Sequence, residues 1–242
     1  MSTVLEIAVF SVEAAISALK AGAHRIEFCE NPQEGGTTPS FGSLQTLRSF
    51  TTQPVFPIIR PRGGDFLYSS IEFEVMKSDL LTIKELGYKG AVIGLLNADG
   101  SIDTKRTKEL VDIAGPSMQI SFHRAFDRCQ NPLIALEAII ETGCKRILTS
   151  GQVPQVADAL SLIKTLHQKA SGRIIIMPGS GVRSSNIKEI IQATGVTEIH
   201  SSARCQLDSK MNYIQTSMNE NLQATGVDTT EIKKMLTAIQ EN

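Results

Sequence analysis

The sequence predicts a single-domain α/β protein: a (β/α)8 TIM barrel over residues 1–204, with a C-terminal extension of the same domain, 205–242, that ends in a helix. Three observations predict it. Eight short β-rich runs alternate with helical periods, which is the pattern of repeated βα units around a parallel sheet. Gly22, Gly87, Gly143 and Gly195 each stand just before such a run, spaced so that every interval holds two βα units. Eight units in 242 residues also match the usual size of the fold. A doubly wound open sheet is the alternative, but its Gly-rich turn after the first strand is replaced by Phe10-Ser11-Val12-Glu13.

The elements follow in order. The first predicted strand is Val4–Phe10, and Ser11 caps a helix carrying Val12, Ala15, Ile16 and Leu19 at helical spacing. Strands are expected at Arg25–Cys29, Val55–Arg60, Ala91–Leu96 and Met118–His123, where β-branched and aromatic residues cluster. Asn131-Pro132 opens a helix carrying Leu136, Ile139 and Ile140, because proline fits the first helical position. Strands at Arg146–Ser150, Arg173–Met177 and Val196–Ser201 complete the eight, and Ser184 or Ser185 is expected to cap the helix carrying Ile187, Ile190 and Ile191. Beyond Ala203, the polar stretch 205–221 is expected to fold back near the barrel mouth. Asp228 or Thr229 then starts a helix whose stripe Ile232, Met235, Leu236, Ile239 must be covered, either by this barrel or by a neighbouring subunit. We expect it to support oligomer assembly.

Composition excludes several classes of function. The chain carries 24 Lys plus Arg against 25 Asp plus Glu, so no basic footprint for nucleic acid or an anionic membrane exists. No apolar run approaches a bilayer's thickness and the N-terminus has no leader pattern, which predicts a cytoplasmic protein. The four cysteines, Cys29, Cys129, Cys144 and Cys205, form no C-x-x-C pair.

Strand alternation converts the runs into a candidate site, since residues point in turn to the lumen and to the helices. Ile26 and Phe28 must face the helices, which turns Arg25, Glu27 and Cys29 inward. The same argument aims Arg60, His123, Glu198 and His200 into the lumen, with Glu27, Arg60, His123 and His200 at its C-terminal mouth. Loop residues Glu34, Arg62, Asp65, Arg124 and Asp127 can close over it, and Gly179, Gly181 and Ser201 stand where barrels commonly bind phosphate. The expected roles are Glu27 as base, His123 as acid backed by Asp127, and Arg60, Arg62 and Arg124 gripping a carboxylate or phosphate. Each group has a plainer reading: Glu27 with Arg60 as a buried ion pair, Gly179–Gly181 as an ordinary turn, Cys29 as a small buried apolar residue. No strand-end lysine suits a Schiff base, no G-x-S-x-G elbow occurs, and no nucleotide or organic cofactor motif is present.

Several blocks resemble those of the CutC copper-homeostasis family: Glu34-Gly-Gly-Thr-Thr-Pro-Ser40, Arg60-Pro-Arg-Gly-Gly-Asp-Phe66, Phe122-His-Arg-Ala-Phe-Asp127, Leu148-Thr-Ser-Gly151, Met177-Pro-Gly-Ser-Gly181 and His200-Ser-Ser-Ala203. The resemblance runs from about Glu6 to Arg204. It implies a cytoplasmic TIM barrel that assembles as a dimer or tetramer and binds Cu(I), with Cys29 the metal ligand to expect and Cys129, Cys205 and histidines as further soft donors. The first strand departs from the pattern, with Ala8 and Phe10 where family members often carry Cys and Asp. Two functions stay open: copper handling, or an enzyme doing acid–base chemistry on a small anionic substrate.

Overall fold

A computed structural model describes residues 3–240. In chain order it contains β1 (Val4–Val9), α1 (Val12–Lys20), β2 (Arg25–Phe28), α2 (Phe41–Phe50), β3 (Val55–Pro57), α3 (Ser70–Glu85), β4 (Gly90–Ile93) and α4 (Thr104–Ala114). There follow β5 (Gln119–Phe122), α5 (Pro132–Thr142), β6 (Arg146–Thr149), α6 (Leu160–Ala170), β7 (Ile175–Pro178), α7 (Ile187–Thr194), β8 (Glu198–Ser201), β9 (Arg204–Leu207), β10 (Ala224–Val227) and α8 (Thr229–Gln240). Parallel ladders run β3-β2-β1-β8 and β4-β5-β6-β7. An Ile58–Val92 bridge joins the two sets on one side, and β7 lies beside β8 on the other, so the eight strands close in sequence order as a barrel.

Local chemistry explains most boundaries. Ser11 accepts from the Ala14 N–H, and Asn131 accepts from those of Leu133 and Ile134 ahead of α5, as the sequence predicts. Gly143 and Gly195 end α5 and α7 in the left-handed conformation that lacks a Cβ penalty. The seventh strand starts at Ile175 rather than Arg173, because the Arg173 N–H still bonds to Ala170 O and its guanidinium reaches Glu137. The α7 cap also differs. Asn186 flanks the helix without a side-chain cap, while Ser184 donates both its N–H (2.7 Å) and its hydroxyl (3.0 Å) to Glu231.

The tail departs most from expectation. β9 and β10 pair antiparallel as a ribbon whose base sits at the mouth, but most of the stretch expected to fold back there is exposed. Asp228 caps α8, accepting from the N–H groups of Thr230 and Glu231. The stripe is covered by this chain itself: Ile232 and Met235 are fully buried, Leu236 and Ile239 pack on the same core, and α8 lies against α7 and α1. It is therefore the eighth helix of the barrel, set after the ribbon.

Two apolar layers result. Ile26, Phe28, Ile93, Phe122, Ile147 and Ile199 belong to the layer between strands and helices. Inside the lumen, Cys29, Phe56, Ile58 and Val92 form a smaller plug with Phe10 against it. Below them a charged belt crosses the barrel, where Arg25 bonds Glu6 and Glu198 and Arg146 reaches Glu198 at 3.1 Å. Both guanidiniums stack on Phe56, at 5.2 and 5.3 Å, which keeps their flat faces in apolar contact while their edges are paired.

Candidate active site in the barrel mouth

Above the plug, the C-terminal strand ends enclose a cavity of about 660 Å3 lined by Glu27, Arg60, His123, Arg124, Gly181, His200 and Ser201, all expected from the sequence. Arg128, Arg183 and Arg204 join its rim. A carboxylate–imidazole–carboxylate run leads from it toward the charged belt: Glu27 and His200 line the cavity, and Glu6 belongs to the belt. His200 Nδ1 meets Glu6 Oε1 at 2.8 Å, and Nε2 stands 3.7 Å from Glu27 Oε2. The register Glu6–His200 between β1 and β8 brings the first pair together.

These three groups titrate against one another. Burial raises Glu6, but the charge of Arg25 and the His200 bond outweigh it and hold the carboxyl at about 2. Burial also dominates at Glu27, opposed by His200 and reinforced by the Glu6 charge, and the result is a rise to about 7. For His200, burial works against protonation, yet the Glu6 bond and the Glu27 charge raise it above its ordinary value. Glu27 is thus poised between proton donor and acceptor near neutrality, with an imidazole of raised proton affinity behind it.

His123 plays a different part from the expected acid. Burial first and the Arg60 charge second push it down to about 3, so the ring is neutral. Room for both imidazoles comes from glycines. A Cβ on Gly94 would lie 2.3 Å from the His123 ring, and one on Gly179 would lie 3.2 Å from His200. Gly179 therefore serves packing, whereas Gly181 and the strained Ser180, with φ of 82°, form the rim.

Other expected groups are committed elsewhere. Arg60 donates to the carbonyls of Glu34, Gly36 and Gly64, tying the loops after β2 and β3 together. Arg62 is held by Glu72 at 2.6 Å and by Asp65 at 2.9 Å, the latter largely exposed at the rim. Asp127 is turned toward the end of β6, where it accepts from Ser150 N–H (3.0 Å), the Ser150 hydroxyl (2.9 Å) and the Arg124 guanidinium (2.7 Å). It positions Arg124 rather than backing His123. Ser201 donates to Val182 O at 2.8 Å.

Cys29 lies under Gly36 with its thiol against Glu27, and burial together with the Glu27 charge raises it well above the ordinary range. Cys129 is in the outer core and Cys205 on the ribbon. Among the described residues no group of three His, Cys, Asp or Glu side chains is arranged to hold a metal ion. Glu6, Arg128, Arg183 and Arg204 were not anticipated. Glu6 carries a readable signal, since it shares a strand face with Ala8, whereas Arg128 and Arg183 lie in short turns and Arg204 opens β9, outside any strand the sequence periodicity predicts.

A closed parallel barrel with a charged, titratable cavity at its C-terminal strand ends defines a TIM-barrel protein. Residues 3–205 match the model of the CutC family. The chain is 45% identical to a family protein CutC of Chromobacterium violaceum over 228 residues, 94% of this chain and 91% of that one, and 51% identical to one of Photorhabdus laumondii over 211 residues, 87% and 84%. A solved structure assigned to a copper homeostasis protein CutC of Streptococcus agalactiae superposes with a TM-score of 0.77 at 30% identity, covering 83% of this chain and 98% of that one. The chain belongs to the CutC family. A phosphoribosylanthranilate isomerase of Thermotoga maritima, TM-score 0.61 at 12% identity over 99% and 100% of the two chains, shares the fold.

Proposed function

We propose that this protein is an enzyme performing acid–base chemistry on a small anionic molecule in the barrel mouth. The observation that carries this reading is the Glu6–His200–Glu27 run beneath a rim of arginines: a proton-transfer group near neutrality below cations that hold an anion. Arg124, fixed by Asp127 and Ser150, and Arg183 are the anion-gripping candidates. Titration with inorganic phosphate by calorimetry tests it. Saturable binding, weakened about tenfold by Arg124→Ala and by Arg183→Ala, is expected; equal affinity in all three proteins removes the mouth from consideration.

Copper handling is supported by the name of the Streptococcus agalactiae relative. The donor set of this chain does not fit a resident Cu(I) ion, because Cys29 brings a protonated thiol beside a carboxylate and its fellow cysteines lie in other layers. Copper therefore stands second. A cytoplasmic location agrees with four free cysteines, three of them buried, and no described helix is long and apolar enough to cross a membrane.

Homo-oligomer assembly moves from the tail helix to the ribbon. Leu207 at the end of β9 and Met211, Tyr213, Ile214, Met218 and Leu222 between β9 and β10 are all exposed, and a lone two-stranded ribbon is marginal in water, so a second copy of the chain is the cover we propose. Replacing Met211, Tyr213 and Ile214 by Ser is expected to lower the mass measured by light scattering to that of one chain. An unchanged mass sinks the ribbon as the contact.

A further inference from the structure

Two buried side-chain nitrogens in the mouth, Arg60 Nε and His123 Nε2, have no hydrogen-bond partner among the described residues. Nε2 of His123 makes no hydrogen bond with any described residue, although its ring lines the cavity. Nδ1 of the same ring accepts from the Ala125 N–H at 3.0 Å, so the single proton of the neutral imidazole sits on Nε2. With the imidazolium pushed down to about 3, Nε2–H is a hydrogen-bond donor throughout the physiological range and not an acid. Unmatched buried donors are rare, and one retained in a cavity points to an acceptor that arrives with a ligand.

The surroundings say what kind of acceptor. Phe66 lies 5.0 Å from the His123 ring, and the Arg60 guanidinium lies 5.1 Å from the same phenyl ring, so a positive charge held by three backbone carbonyls packs on the ring that the imidazole packs on, near enough for its field to act on that imidazole. A neutral N–H backed by a fixed cation stabilises an oxygen that becomes negative during reaction, without the proton leaving the ring. Glu27 opens into the same cavity from β2, while His123 enters from the end of β5.

We propose that the mouth binds an anionic carbonyl compound with its carbonyl oxygen on His123 Nε2–H beside Arg60, and that Glu27 exchanges a proton with the carbon next to that carbonyl. The inference rests on the acid–base reading of this cavity and names its substrate class. In the step, ionised Glu27 takes the proton, the C–H electron pair forms a carbon–carbon double bond, and the carbonyl π pair moves to oxygen. That oxygen is held as an enolate by the imidazole donor and the Arg60 field. Return of the proton to carbon closes the cycle, with atoms and electrons conserved and no oxidant or reductant needed. Rim arginines hold the substrate's anionic end.

Proton NMR in deuterated water tests this, with dihydroxyacetone phosphate and 2-oxobutyrate as probes and calorimetric titration with inorganic phosphate in parallel. The parent protein is expected to exchange the carbon-bound hydrogens of one probe for deuterium. Glu27→Gln should stop the exchange and His123→Phe should slow it about 100-fold or more, the usual size of one lost oxyanion donor. His123→Gln, which restores an N–H, should recover part of the rate, and phosphate affinity should hold in all three variants. Phosphate binding without exchange of either probe, or His123→Phe exchanging at the parent rate, overturns the proposal and leaves the anion site standing. Absence of phosphate binding in the parent removes the acid–base reading itself and this proposal with it.

Discussion

Ending the chain at Gly226 is expected to abolish cooperative folding. α8 closes the helical ring between α7 and α1, burying Ile232 and Met235 completely and packing Leu236 and Ile239 on the same core. Truncating one such buried side chain to Ala costs about 2–5 kcal/mol, and whole domains are stable by only about 5–15 kcal/mol, so losing the stripe consumes most of the margin. Glu231 adds to the loss. Its carboxylate receives the N–H and hydroxyl of Ser184, in the loop that leads from the cavity rim into α7. Met235→Ala, the milder version, should lower the unfolding free energy in urea by about 2–5 kcal/mol with an unchanged slope. A truncated chain with the parent's urea midpoint would show that the barrel stands without its eighth helix.

The second large effect is in pH. Glu27 binds its proton more tightly in the fold, at about 7, than in the unfolded chain, near 4.5. A value raised on folding means that stability is fully present below pH 4.5 and is lost as pH rises through about 7, a loss of roughly 3 kcal/mol. His200, also raised, contributes in the same direction and gives up its share as pH climbs through its folded value above 6.5. Glu6 has the opposite sign, because its folded value of about 2 lies below the unfolded one, so its contribution is present above pH 4.5 and fades toward pH 2. Urea unfolding between pH 4.5 and 8 is therefore expected to show falling stability, and Glu27→Gln should flatten the curve and exceed the parent at pH 8 by a few kcal/mol. The His200 titration, followed by NMR, should move down in the same variant, since an attracting carboxylate has gone. A parent curve flat from pH 4.5 to 8 would contradict a high Glu27 value.

Both effects arise where parts of the chain distant in sequence meet, and this divides what was legible. Alternation along Arg25–Cys29 and Gln119–His123 placed Glu27 and His123 in the lumen, because a strand's side-chain period depends on its backbone alone. Ser11 and Asn131 were readable as caps for the same reason: a cap bonds two or three residues away. Glu6 followed the same alternation, yet its partner His200 lies 194 residues away and was set by the β1–β8 register.

By itself, then, the sequence determined eight parallel units, the faces of their strands and the group of charged residues at one mouth. The tertiary structure alone decided which of those charges are free. Arg60 and Arg62 looked alike as anion grips, and closure of the barrel tied one to loop carbonyls and the other to Glu72. Asp127 looked like a partner for His123, and the end of β6 captured it. The stripe on α8 looked ready for a neighbour until α7 and α1 left a gap of its size. Periodicity reports the face on which a side chain sits, but hydrogen bonds and burial depend on what closure brings opposite that face.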